Sequence, residues 1–371
     1  MSTATAPASR VLREMAFDHV EHYVGNALQA AYYYCAAFGF QVVAYAGPET
    51  GIADRSSYVL RQRDLCFVVT SSLRADNEIA RHVARHGDGV RDVALTVSDA
   101  RAAFSAAVAG GAKVVSEPKE ISDEHGTAVI ASIATYGDVI HSFVERRAYH
   151  GAFLPGFVAH SFAIKPVAEV GFSHIDHCVG NVGWGEMETW VDYYERAFGF
   201  SQLVSFDEQD ISTEFTALRS KVMTDDRRIV KFPINEPAEG RKKSQIEEFL
   251  EYYDGPGVQH IAIATDDIVR TVRALRANGV ELLDTPGAYY DQLESRVGHI
   301  AEATPVLREL GILVDRDDLG YMLQIFTKPV ETRPTLFFEI IQRKGGQSFG
   351  KGNFKALFVA IEREQERRGT L

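Results

Sequence analysis

The chain has 371 residues, 46% hydrophobic and 24% charged, which excludes a disordered, collagen-like or low-complexity protein and, at about 150 residues per domain, allows roughly two domains. Lys and Arg number 39 against 51 Asp and Glu, a net charge of −12; a field of that sign repels phosphate backbones and anionic lipid and argues against nucleic acid and membranes as partners. Three cysteines, Cys35, Cys66 and Cys178, make no disulfide framework and no CxxC site, so the expected compartment is the reducing cytoplasm.

Residues 1–14 lack the apolar run of a secretion signal and read as a disordered tail. Beyond them the sequence repeats. Glu21-His22-Tyr23-Val24-Gly25-Asn26 recurs as Asp176-His177-Cys178-Val179-Gly180-Asn181, and Ala-Phe-Gly-Phe ends a helix-like stretch at 37–40 and again at 197–200. Gly89-Val90-Arg91-Asp92 likewise recurs as Gly257-Val258-Gln259-His260. Two homologous halves follow, 15–155 and 156–371, with the Pro- and Gly-interrupted stretch 149–170 as linker.

In the second half, alternation predicts a strand over 175–180, and helical spacing follows in Met187, Trp190, Val191, Tyr194 and Phe198. Strands are expected over 215–222 and 229–234, and again over 258–264. A helix over 267–277 stops at Asn278-Gly279. Strands over 281–283, 321–327 and 335–341 complete the half, with 288–317 as an irregular insertion holding a short helix near 306–310. A glycine-rich loop, 345–352, leads into a final helix over 353–368. The fold class is therefore α+β: two halves, each a pair of βαβββ modules that curl into an open barrel around a cavity.

Three residues do not suit a plain core. Glu339 is the one ionisable group of the strand Thr335-Leu336-Phe337-Phe338-Glu339-Ile340-Ile341, where burial without a partner or a cation costs several kcal/mol. His177 and His260 lie in the opening strands of the two second-half modules. Taken singly, each is a core or edge residue. Taken together on strands that wrap one cavity, two imidazoles and a carboxylate make the facial triad of non-haem Fe(II) oxygenases. The repeat puts His22, Asp92 and Ser142 at the matching places of the first half, a poor iron set, so metal is expected in the second half only.

The stretches Ile175 to Asn181, Lys231-Phe232-Pro233-Ile234-Asn235-Glu236-Pro237, Lys243-Ser244-Gln245-Ile246, Gly257 to Ala262, Leu323 to Lys328, Phe337 to Ile341 and Phe349-Gly350-Lys351-Gly352-Asn353-Phe354 resemble the 4-hydroxyphenylpyruvate dioxygenases of the vicinal oxygen chelate superfamily. The resemblance covers the chain after its tail. It implies Fe(II) on His177, His260 and Glu339, and a substrate pocket at Asn235, Gln245, Gln259, Gln324, Phe326, Phe338, Asn353 and Phe354, with Thr216 where the family commonly has Ser. It also implies a C-terminal helix over the site. The implied reaction takes 4-hydroxyphenylpyruvate and O2 to homogentisate and CO2 in tyrosine catabolism, in a homo-oligomer. The related 4-hydroxymandelate synthases share the iron site but lack the Pro and Asn of Phe232-Pro233-Ile234-Asn235. Extradiol dioxygenases, and a metal-free binding protein of bleomycin-resistance type, are the other readings.

Overall fold

The computed structural model describes residues 12–207 and 213–371. Most of the expected tail lies outside them; Leu12–Glu14 form a single 3-10 turn with Leu12 buried.

Four βαβββ modules follow one another. The first half carries β1 (Ala16–Tyr23), β2 (Gln41–Ala46), β3 (Arg55–Gln62), β4 (Leu65–Ser72), β5 (Gly89–Thr96), β6 (Val114–Asp123), β7 (Gly126–Ala134) and β8 (Ile140–Tyr149), then a short β9 (Val158–Ala159). The second carries β10 (Phe172–Asn181), β11 (Ser201–Phe206), β12 (Ala217–Thr224), β13 (Lys231–Ala238), β14 (Gly257–Thr265), β15 (Leu313–Asp317), β16 (Gly320–Phe326) and β17 (Phe337–Lys344). Among the described residues these form two curled sheets, ordered β6-β7-β8-β5-β1-β4-β3-β2-β9 and β11-β12-β13-β10-β14-β17-β16-β15. In each, the opening strands of two modules meet antiparallel at the centre, and each pairs in parallel with the last strand of its own module.

The repeated Ala-Phe-Gly-Phe is a helix stop. Helices Ala27–Phe38 and Met187–Phe198 both end on a left-handed glycine, Gly39 at φ 75° and Gly199 at φ 67°, a conformation that costs other residues about 1–2 kcal/mol. The helix Ile268–Ala277 is capped by Asp267, whose side chain accepts from the Arg270 N–H. The strand expected over 281–283 contracts to one bridge, Leu282 to Thr327. Its place in the fourth module is taken by β15, delivered from the far end of the insertion. A helix the periodicity did not separate, Gln245–Tyr253, starts on a Ser244/Glu247 capping box.

The first part of the stretch expected as a linker is built into the first half, while Ala168 and Val170 at its end are hydrogen-bonded to Asn278 and Thr271 of the second. Its β9 extends the sheet beside β2, and Phe153 and Leu154 are buried inside the first half-barrel against Val59, Val68 and Val144.

One apolar core runs through both halves. Phe338 stacks on Phe67 at 5.8 Å and meets Phe38 edge-on at 5.2 Å. It belongs to this seam and does not line the cavity implied for it. Phe338→Ala is therefore expected to cost about 3–5 kcal/mol of stability in denaturant unfolding; a folded but inactive variant of unchanged stability would restore it to the pocket.

The repeat alignment also needs correction in the first half. In the strand pairing, His19 faces Ala94 as His177 faces Ala262, while Tyr23 faces Gly89 as Asn181 faces Gly257. The counterpart of His177 is thus His19, three residues before His22. Asp18–His19–Arg146 repeats Asp176–His177–Arg343, bond for bond. The likeness of the two hexapeptides misled because Asn26 caps its helix directly, whereas five residues separate Asn181 from Met187. His22 is instead a core residue packed on Phe67 at 4.9 Å, its ring pushed down to about 3 by burial.

Candidate metal centre and cavity

Register across three strands assembles the centre. His177 on β10 lies beside Ala262 on β14, and Ala262 lies beside Glu339 on β17. His260, two residues before Ala262, shares its face. The methyl of Ala262 leaves space between the three. His177 Nε2 stands 3.2 Å and His260 Nε2 3.5 Å from Glu339 Oε2, and one ligand atom of each lies within 4.8 Å of the others. All three side chains are buried to about nine-tenths or more.

The outer nitrogens decide what the inner ones offer. His177 Nδ1–H donates to Asp176 Oδ1 at 2.7 Å, and His260 Nδ1–H donates to Gln259 Oε1 at 3.0 Å. Each ring therefore turns an Nε2 lone pair toward a carboxylate that is itself an acceptor. Three electron-pair donors facing one point need a proton or a cation among them, and the N2O set suits a divalent transition metal with positions left open. With a proton instead of a metal between them, burial pushes the Glu339 carboxyl up, but a charged His177 and hydrogen bonds from the two rings outweigh it and bring it down to about 2. Burial likewise opposes a charged His177, yet Glu339 and Asp176 hold that ring above its ordinary value. His260 lies below its ordinary value because burial prevails over Glu339.

Asp176 is held in turn. Arg343 grips both its oxygens, at 2.8 and 3.0 Å, and Lys231 stands 3.4 Å away. Such carboxylate–histidine–metal chains orient the ring and raise its basicity. Asp176→Asn is expected to weaken metal affinity about 10–100-fold, measured by competition with a chelator; unchanged affinity would remove Asp176 from the centre.

The cavity above the centre is walled on β12 and β13 by Leu218, Ser220, Pro233 and Asn235. Gln245, Gln259, Gln324 and Phe326 line it too, and Phe349 and Phe354 close it with Leu357 and Phe358 of the last helix, Phe354–Arg368. The Oε1 of Gln324 is buried without a hydrogen-bond partner. Gly350, at φ 77°, lets the loop pass directly over Gln324; a Cβ there would stand 2.7 Å from its side chain.

Three implied pocket residues lie elsewhere. Phe338 is in the seam. Thr216 shares the alternation phase of Leu218 and Ser220 but lies past the cavity's end, where its hydroxyl donates to Glu362 of the last helix at 2.7 Å. Asn353 is fully buried and accepts from the Tyr289 hydroxyl at 2.7 Å, so it anchors the start of the helix to the insertion. In their stead stand Phe337, stacked on His260 at 4.8 Å, and Ser220. Strand alternation was the signal for Phe337, since it shares a face with Glu339 and Phe338 does not.

Paired βαβββ modules curled around a buried His/His/Glu set define a vicinal oxygen chelate metalloprotein. Consistently, the family model described as "Glyoxalase/Bleomycin resistance protein/Dioxygenase superfamily" matches residues 16–135 and 174–322. The chain is 49% identical to 4-hydroxyphenylpyruvate dioxygenase of Yarrowia lipolytica, over 96% of this chain and 93% of that one. It is 48% identical to the dioxygenase of Dictyostelium discoideum, over 96% and 99%. A solved mutant of 4-hydroxymandelate synthase from Streptomyces coelicolor superimposes with a TM-score of 0.84 at 37% identity, covering 94% and 98%. The chain belongs to the 4-hydroxyphenylpyruvate dioxygenase family.

Proposed function

We propose that the chain converts 4-hydroxyphenylpyruvate and O2 to homogentisate and CO2, with Fe(II) held by His177, His260 and Glu339. The observation that carries this reading is the convergence of three buried acceptors beneath an aromatic-walled cavity, in a chain whose relatives carry that activity by name. Bound there, Fe(II) supplies the electrons and open positions for 2-oxo-acid-coupled O2 chemistry.

The chain's own residues do the rest. Glu339 cancels one of the two metal charges, which leaves a centre that attracts an anionic oxo acid. Asp176 and Gln259 keep both imidazoles turned inward. Gln324 and Gln245 offer amides to the polar ends of the substrate, and the unpartnered Gln324 Oε1 can accept from a hydroxyl. Phe326, Phe349 and Phe354 give the ring apolar faces. The last helix keeps water from the reacting carbons.

Homogentisate formed from 4-hydroxyphenylpyruvate by the Fe(II)-loaded chain is the expected product; 4-hydroxymandelate, or no product, overturns the reading. The solved relative makes 4-hydroxymandelate synthesis the second reading, and Pro233 and Asn235 at the cavity wall favour homogentisate over it. Among the described residues no helix is long and apolar enough to cross a membrane. Cytoplasmic residence in tyrosine catabolism, as a homo-oligomer, completes the proposal, and three buried thiols, with Cys66 pushed up to about 12 by burial, accord with it.

A further inference from the structure

Away from the cavity, a second set of ligand atoms converges at the seam between the halves. The helix Glu78–His86 carries His82 and His86 one turn apart, and the loop between β7 and β8 brings Asp138 beside them. One ligand atom from each of the three lies within 4.8 Å of the others. The pattern is that of the first centre. His86 Nδ1 is hydrogen-bonded to the Tyr253 carbonyl, which can only accept, so the proton is on Nδ1. The Nε2 of that ring then turns a lone pair toward Asp138 Oδ2 at 2.9 Å, one acceptor against another unless a second proton or a cation lies between.

His82 adds the independent observation. It is 5% exposed, and neither of its ring nitrogens has a hydrogen-bond partner. A buried imidazole with both nitrogens idle loses its hydration without return.

We propose that His82, His86 and Asp138 form a second, structural site for a divalent cation of the zinc class. Two imidazoles at i and i+4 on one helix face with a carboxylate are hard-to-borderline donors suited to that ion. Guanidiniums of Arg81, Arg85 and Arg91 face the same cleft: Arg85 stands 3.6 Å from Asp138 Oδ2 but 2.8 Å from Asp254, and Arg91 donates to the Asp138 backbone carbonyl and stands 4.0 Å from Glu78, so of the three the ion competes with Arg85 alone for the Asp138 carboxylate. The ion would fasten the helix Glu78–His86 to the loop between β7 and β8, and both of these elements pack against the second half. Tyr253 belongs to the second half, and Gly137, next to Asp138, is so close to Pro256 that a Cβ there would stand 2.1 Å from its carbonyl oxygen.

The test is equilibrium dialysis of the metal-stripped full chain against Zn2+, followed by elemental analysis. Two ions per chain are expected for the wild type. One is expected for Glu339→Ala, which spares the seam, and one for His82→Gln and for Asp138→Asn. Asp138 is half-exposed, so its substitution leaves the fold intact, and near-ultraviolet circular dichroism checks this. Zn2+ is also expected to raise the melting temperature of Glu339→Ala but not of Glu339→Ala/Asp138→Asn. A single ion in the wild type, which would leave a protonated His86 paired with Asp138, overturns the proposal. So does a second ion retained with undiminished affinity in either seam variant.

Discussion

Glu339→Ala is expected to lose bound iron from the cavity centre and to lower turnover by more than about 100-fold, since even residues one shell further out are worth about 10–100-fold. The carboxylate is the sole anionic ligand of the centre, and its Oε2 is the atom on which both imidazoles converge, at 3.2 and 3.5 Å. Two neutral imidazoles left alone neither balance the metal charge nor fix a third coordination position. Glu339→Gln separates charge from shape. It keeps the volume and one carbonyl oxygen but loses the negative charge, and it should lose most of the iron as well. The measurements are iron content by elemental analysis and O2 consumption with 4-hydroxyphenylpyruvate. Near-normal values for either variant would mean that Glu339 is a buried structural carboxylate paired with His177.

Ending the chain at Gly352 is expected to produce a different pattern: iron retained, turnover lowered by at least about 100-fold. All three ligands lie on strands β10, β14 and β17, far from the cut in sequence and held by sheet register. The last helix supplies Phe354, Leu357 and Phe358 to the cavity roof, and loss of an aligned wall is the kind of misplacement that costs about 100-fold. The helix is latched at both ends. Near its start Asn353 accepts from Tyr289, and toward its end Glu362 accepts from Thr216 while Arg368 pairs with the buried Glu248 at 2.8 Å. Full turnover in the shortened chain would show that the roof plays no part. Loss of iron would show that the helix supports the sheet beneath it.

These two variants bear on features that differ in how far a sequence discloses them. Strand alternation and helix stops are local, so the modules could be read from 175–180, from the Gly39 and Gly199 stops and from the Asn278-Gly279 end. The convergence of His177, His260 and Glu339 was legible once the second-half modules were paired, because each of the three lies on the opening or closing strand of a module and those strands are neighbours in the sheet. What failed was non-local. The offset between His19 and His22 depends on the length of the loop before each helix. Phe338 and Asn353 were assigned by family likeness, although neither faces the cavity: Phe338 packs into a seam that exists only when both halves are present. β15 could not be foreseen because the insertion that delivers it has no counterpart in the other modules. The His82/His86/Asp138 set was invisible because its members come together only in the fold: one helix carries two of them and a loop some fifty residues on carries the third.

One ferrous ion is expected among His177, His260 and Glu339. Crystals grown without oxygen from iron-loaded protein, measured on either side of the iron absorption edge, test it directly. The predicted result is an anomalous peak within bonding distance of His177 Nε2, His260 Nε2 and a Glu339 oxygen. Iron density elsewhere, or none between these three atoms in crystals of iron-replete and active protein, would contradict it.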